Sequence, residues 1–151
     1  MPNNEKLNEF CAEMAAVNVE TVWFEYDGEG DSANYYMARC VRRRTATEIA
    51  EQECLRRDRI AKTAGWERPV QPVEQIYLDS NSGIDKLTKL NPKITAKLLE
   101  EIWEIIFESL PGSWEVDSGS FGEVTVDVAA RTANVTHNER VTDVHTHEFP
   151  L

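Results

Sequence analysis

The stretch from residue 91 to residue 141 constrains the fold most, because the spacing of its apolar residues changes from helical to strand-like. Asn91-Pro92 is typical of a helix start, and apolar residues then recur at the spacing of one helix face. Leu110-Pro111-Gly112 is typical of a helix end. Beyond it, apolar and polar residues alternate. The pattern predicts one amphipathic helix followed by three short strands.

The last two of these strands are predicted to form a hairpin with its turn at Arg131-Thr132. This register places Val135 opposite Val128 and favours a loop of two or four residues. It also places His137 on the apolar face, which is the one local conflict in this region. Gly119–Gly122 is expected to form the turn before the hairpin.

The first half of the chain carries a second helix–strand pattern. Apolar residues at helical spacing predict an amphipathic helix over residues 4–17, and alternation from Val22 to Tyr26 predicts a strand. Thr45 and Glu48 form a capping box, so a further helix is expected from Ala46 to Ala64. The residues just before this capping box are ambiguous between strand and helix.

The net charge of −11 is distributed unevenly along the chain. Residues 39–68 hold nine basic and five acidic residues, a net charge of +4, so the rest of the chain carries −15. We interpret residues 39–68 as a basic helical insertion within a single domain of residues 1–151. A short edge strand is expected after it, at Ile76-Tyr77-Leu78, closed by a turn at Asp79–Gly83.

Several functional classes are disfavoured by composition. No apolar run approaches the roughly 20 residues that a membrane span requires, and the first residues do not resemble a signal peptide. The three cysteines share no short metal-binding or redox spacing. We therefore expect a cytoplasmic protein with no membrane contact and no cofactor.

A divalent metal, and with it a metal-dependent enzyme, is the first alternative. The candidate ligands are Asp27, Glu29 and Asp31 in one group, and Asp143, His145 and His147 in the other. The first group is compatible with Ca²⁺ or Mg²⁺, although the EF-hand spacing is not met. The second group would share one face of an extended strand and suits Zn²⁺ or Fe²⁺. A solvated turn and a loose tail are the competing interpretations.

Both amphipathic helices carry a row of glutamates on the side away from the apolar stripe. The rows are Glu5, Glu9 and Glu13 in the first helix, and Glu100, Glu104 and Glu108 in the second. Like charges one turn apart cost about 0.2–0.5 kcal/mol per pair. The rows are therefore expected either to aid solubility or to bind a basic protein partner.

A cluster of arginines at positions 39–44 is the complementary feature. Its candidate binding residues are Arg42, Arg43 and Arg44. Contact with nucleic acid is a second alternative, but the −15 charge of the remaining chain would repel it. An acidic surface of the same chain, of a partner or of another copy is an equally suitable target, and the last would give a homo-oligomer.

Five short segments carry a resemblance to a known family. They are YDGEGDS at Tyr26–Ser32, LPGSWE at Leu110–Glu115, GSFG at Gly119–Gly122, DV at Asp127-Val128 and HNER at His137–Arg140. In order and spacing they resemble an uncharacterised bacterial domain family associated with plasmids and phages. The resemblance covers residues 5–31 and 94–149, whereas residues 39–68 depart from it. It implies a bacterial or mobile-element origin and a helix-flanked sheet, but no functional residue.

The sequence therefore predicts an α+β fold, with a mostly antiparallel sheet of about four strands and the two amphipathic helices on one face. The expected function is that of a non-enzymatic, acidic protein-interaction module, such as a mobile-element accessory factor that binds a host protein. The metal-dependent enzyme and the nucleic-acid contact through Arg39–Arg44 are the alternatives.

Overall fold

The computed structural model describes residues 3–29, 32–109, 120–139 and 145–151, and structural statements refer to this part of the chain. The elements in chain order are α1 (Asn3–Ala15), β1 (Val19–Glu29), β2 (Ser32–Arg43), α2 (Ala46–Thr63), β3 (Val73–Tyr77), α3 (Asn81–Leu90), α4 (Ala96–Ser109), β4 (Ser120–Asp127), β5 (Thr132–Glu139) and β6 (His145–Pro150). The predicted α+β class is confirmed.

The described strands form one sheet in the order β3-β2-β1-β4-β5-β6, and every neighbouring pair is antiparallel. The sheet has six strands where about four were predicted. The segment that was ambiguous between strand and helix is β2, and the C-terminal segment forms the edge strand β6. A strand predicted around Trp114 lies outside the described residues.

The core lies between one face of the sheet and the amphipathic helices. Alternate residues of the strands point into it, and α1 and α4 contact each other as well as the sheet. Its buried residues include Phe10, Cys11 and Met14 of α1, Leu98, Leu99, Ile102, Trp103 and Ile106 of α4, and Val22, Phe24, Tyr26, Val124, Val126 and Val135 of the sheet. Burial of this apolar surface is the dominant stabilising contribution.

The helix predicted to begin at Asn91-Pro92 starts four residues later in the structure. Asn91-Pro92 follows the end of α3, where the Asn91 N–H donates to the Leu87 carbonyl at 2.8 Å. Helix α4 begins at Ala96 instead, after Thr95, whose hydroxyl accepts from the Leu98 N–H at 3.1 Å. Asparagine and threonine both serve as caps, so composition alone does not identify the one that starts a helix.

Helix α3 occupies part of the segment that was predicted as a turn. Its N-cap is Ser80, whose hydroxyl accepts from the Gly83 N–H at 3.2 Å. Serine and asparagine favour both turns and helix starts, which is why Asp79–Gly83 has the composition of a loop. The preceding strand is confirmed as an edge strand, over Val73–Tyr77.

The hairpin of β4 and β5 differs in register from the prediction. Val135 pairs with Val124 rather than Val128, and His137 pairs with Gly122. The connecting loop has four residues, 128–131, in agreement with one of the two predicted lengths. Strand β4 already includes residues 120–122, so the glycine-rich segment does not form its turn there. The prediction that His137 lies on the apolar face is confirmed by its complete burial.

Residues 39–68 comprise the end of β2, helix α2 and a coil. The predicted capping box of Thr45 and Glu48 is present, and the helix ends at Ala64, which has a positive φ of 51°. Residues 39–43 belong to a strand paired on both sides, so the segment begins inside the sheet. Within α2, Glu53 pairs with Arg56 at 2.9 Å.

The cysteines provide a test of the core. Cys11 and Cys40 are buried, and burial raises their pKa to about 11 and about 12, whereas Cys54 of α2 is exposed. We expect a thiol reagent to modify Cys54 alone in the native protein and all three cysteines in denaturant, because the accessible thiolate is the reactive species. Cys54→Ser should abolish the native reaction. Rapid labelling of that variant would contradict the placement of Cys11 and Cys40.

Candidate functional site

A cleft of about 570 Å³ lies where the end of β3, the start of α3 and one side of α4 meet. Its lining residues are Leu78, Asp79, Ser80, Asn81, Ile84, Ala96, Leu99, Glu100, Trp103 and Glu104. Leu78, Leu99 and Trp103 are buried and form an apolar floor, while the carboxylates are exposed at the rim. This volume is within the range of small-ligand and side-chain pockets in proteins. We call it the acidic cleft.

The two walls of the acidic cleft are held close to the sheet by specific packing. Helix α3 approaches β3 at Gly83, where a Cβ atom would lie 1.8 Å from the Tyr77 carbonyl oxygen. Helix α4 is anchored through Trp103, whose ring centroid lies 5.7 Å from that of Tyr26. The cleft is therefore a fixed feature of the packed domain rather than a gap between loose elements.

The carboxylates of the acidic cleft lack a cation from the described part of their own chain. Asp79, Glu100 and Glu104 take part in no ion pair with any described residue. The glutamates that do form ion pairs lie elsewhere: Glu9, Glu13, Glu20, Glu48, Glu53, Glu67, Glu74 and Glu101. In the described part of the chain, several glutamates are thus paired with a cation, whereas the carboxylates of the cleft are not.

The two predicted glutamate rows are not equivalent in the structure. Glu13 is only partly exposed and accepts a 2.7 Å hydrogen bond from the Asn91 side chain. Glu9 is exposed and lies 3.9 Å from Lys6, and Glu5 is exposed without lining a described cleft. Only the second row contributes to the acidic cleft, through Glu100 and Glu104, while Glu108 is exposed farther along α4.

The predicted binding residue Arg42 is an internal cation. Its side chain is 2% exposed and makes two hydrogen bonds to Glu48, at 2.6 and 2.7 Å. Its Nε donates to the Val17 carbonyl at 2.7 Å, and Nη1 lies 3.5 Å from Glu74. The prediction of Arg42 as a surface contact is therefore corrected: the bidentate geometry joins β2 to the start of α2.

The neighbouring arginines also contact their own chain. Arg44 donates to buried Glu74 at 3.1 Å, and Lys86 of α3 donates to the same carboxylate at 2.8 Å. Arg43 is exposed and pairs with Glu20 at 2.9 Å. Arg42, Arg43 and Arg44 thus each pair with a glutamate of their own chain.

The Arg42–Glu48 pair predicts a specific pH dependence. Hydrogen bonds from Arg42 hold the pKa of Glu48 at about 2, below its usual 4.5. Its stabilising contribution should be complete above about pH 4.5 and decrease as the pH falls towards about 2, because the unfolded chain binds the proton first. When the free energy of unfolding is measured in urea, Glu48→Gln should not show this part of the stability loss at low pH. Exposed Glu51→Gln is the control, and equal pH profiles for both variants would exclude the role of the pair.

His137 is a buried partner of Tyr26. Its Nδ1 and the Tyr26 hydroxyl oxygen are 2.6 Å apart, and both side chains have no exposed surface. Burial also raises the pKa of Tyr26, so the hydroxyl keeps its proton. This hydrogen bond explains how a histidine is accommodated on the apolar face. It also links β1 to β5, the strands on either side of β4.

The predicted metal ligands that the structure describes lie on β1 and β6. Asp27 is exposed on β1, where Glu29 is the last residue, whereas Asp31 and Asp143 lie outside the described residues. In β6, the backbone of His145 pairs with Glu139 and that of His147 with His137. Within the described ranges, no group of three or more potential ligands is positioned to hold a metal.

Sequence reasoning identified Glu100 and Glu104 but missed the remainder of the cleft. The rim residue Asp79 and the half-buried Ile84 lie at the start of α3, a helix that was not predicted. The Ser80-x-x-Gly83 spacing offered a weak signal, since serine is a common N-cap.

In the described part of the chain, no helix has both the length and the apolar character needed to cross a membrane.

The described residues form an α+β domain with an acidic cleft. Comparison with known families matches residues 57–151, more than half of the chain, to DUF6878, a family of unknown function. The chain belongs to this family. The match begins inside α2 and includes every residue that lines the acidic cleft. No curated protein and no solved structure matches the chain.

Proposed function

We propose that this domain is a protein-interaction module whose acidic cleft receives a basic segment of a partner protein. One observation carries the proposal: three carboxylates surround an apolar floor and have no cation from the described part of their own chain. A lysine or arginine next to an apolar residue matches this arrangement, because its charge can reach the rim while the apolar neighbour covers the floor. The resemblance to plasmid- and phage-associated domains makes a host protein a reasonable class of partner.

Short synthetic peptides provide the direct test. The probes are equal-length peptides that contain leucine next to arginine, next to lysine, or next to the neutral arginine analogue citrulline. We expect the two basic peptides to shift the backbone amide signals of residues 78–84 and 99–104 in ¹⁵N spectra of the protein. Citrulline keeps the shape of arginine without its charge, so it should bind more weakly.

Variants of α4 distinguish binding in the cleft from nonspecific attraction to the negative charge of the chain. Glu100→Gln combined with Glu104→Gln should weaken binding about 5–30-fold, which corresponds to about 1–2 kcal/mol for two partly solvated charge pairs. Glu108→Gln is the matched control, because it is exposed on the same helix but does not line the cleft. Equal binding by the citrulline peptide, or an equal loss in the control variant, would overturn the proposal.

A further inference from the structure

Helix α2 has an exposed surface that matches the acidic cleft. None of its 18 residues is buried, although a helix in a protein normally gains most of its stability from packing. Leu55 is 56% exposed, and Trp66, just beyond the helix, is 78% exposed. Lys62 lies two helical turns from Leu55 on the same side, and it forms no ion pair with any described residue. We call Leu55, Lys62 and Trp66 the donor surface.

The donor surface and the acidic cleft are separate in one copy of the chain. The coil after α2 is fastened to the helix, because the Val70 N–H donates to Glu53 at 2.7 Å and Arg56 donates to the Glu67 carbonyl at 2.9 Å. No residue of α2 lines the cleft. The helix therefore keeps its own coil as a neighbour and leaves the cleft of the same copy open.

Charge complementarity indicates what covers both surfaces. In the basic segment of residues 56–68, Arg56 and Arg59 pair with Glu53 and Glu67, whereas Lys62 of the donor surface has no ion pair with any described residue. The rim of the cleft is formed by Asp79, Glu100 and Glu104. We infer that the donor surface of one copy occupies the acidic cleft of a second copy, with Lys62 among the carboxylates and apolar side chains against the floor. Because each copy has both surfaces, reciprocal contacts produce a two-fold dimer. This inference rests on the proposed function, with a second copy of the chain as the partner in place of a host protein.

A charge-exchange experiment tests the contact in the full-length protein. Sedimentation equilibrium at about 0.1 M salt should show association of the wild type, and higher salt should weaken it as the Debye length shortens. Lys62→Glu, and Glu100→Lys combined with Glu104→Lys, should each weaken association at least about tenfold. An equimolar mixture of the two variants should associate again, because it contains one native contact and one with exchanged charges.

Matched controls are available on the same helices. Arg57→Glu changes an exposed charge on a different side of α2, and Glu108→Lys changes one that does not line the cleft. Both should associate like the wild type. A wild type that remains monomeric, or a mixture of charge-exchanged variants that stays dissociated, would overturn the inference.

Cys54 allows the contact to be located. A nitroxide attached at this exposed position, next to Leu55, should broaden amide signals of residues 78–84 and 99–104 in ¹⁵N-labelled chains mixed with unlabelled, nitroxide-carrying chains. Only contacts between copies contribute in this mixture. Broadening confined to other residues would overturn the inference. If the basic peptides bind the cleft but the chain is monomeric, the proposed function stands and only the self-association fails.

Discussion

Replacing Arg42 with alanine should lower the free energy of unfolding by about 3–5 kcal/mol, the range expected when one partner of a buried ion pair is removed. The guanidinium is 2% exposed and joins Glu48, Glu74 and the Val17 carbonyl. Without it, the 5%-exposed Glu74 carboxylate loses a neighbouring cation and the Val17 carbonyl loses its donor. Urea denaturation monitored by tryptophan fluorescence would measure the change.

Arg43→Ala is the control for this substitution. The two arginines are adjacent in β2, but the Arg43 side chain is 57% exposed and pairs with an exposed glutamate. An exposed ion pair contributes about 0–1 kcal/mol, so this variant should remain close to the wild type. If both variants lost the same small amount of stability, the description of Arg42 as an internal link between β2 and α2 would be wrong.

Replacing Gly83 with alanine should be similarly damaging, at about 3 kcal/mol or more, because overpacking against a fixed neighbour exceeds the usual cost of about 1–3 kcal/mol. The added Cβ would lie 1.8 Å from the Tyr77 carbonyl oxygen, and this backbone atom belongs to a paired strand. Helix α3 would have to move away from β3. The same movement would displace Ser80 and Ile84 from the acidic cleft, so peptide binding should fall together with stability.

Gly65→Ala provides the comparison, since Gly65 follows α2 and is exposed. Its added Cβ would lie 3.2 Å from the Thr63 hydroxyl oxygen, which a side-chain rotation can move. The free energy of unfolding should change by no more than about 0.5 kcal/mol. Equal effects of the two glycine substitutions would show that the close approach of α3 to β3 is not a constraint.

Local patterns identified the elements whose signals are contained within a few residues. The capping box at Thr45 and the alternation from Val22 to Tyr26 are examples, because each depends on neighbours in the sequence. Helix α3 was missed because Ser80 and Asn81 are residue types that favour turns. Without α3, only the α4 side of the cleft could be predicted.

The features that depend on distant residues could not be read from the sequence. Arginine is a residue type expected at the surface, and only the fold brings Glu74, 32 positions away, beside Arg42. His137 likewise finds its partner 111 positions away in Tyr26. The hairpin register was missed for a more local reason, since Arg131 adopts a positive φ of 56° that its residue type does not favour.

The strand order has a consequence for synthesis on the ribosome. Strand β1 pairs with β2 on one side, but its other side is completed by β4, so that Val22 meets Val126. About 100 residues separate these two partners, which at about 5–20 residues per second is a delay of roughly 5–20 s. Throughout that interval the nascent hairpin presents the unpaired edge of β1, and an unpaired edge can pair with the wrong chain. The second edge of β1 therefore stays without its partner until the last third of the chain has been made.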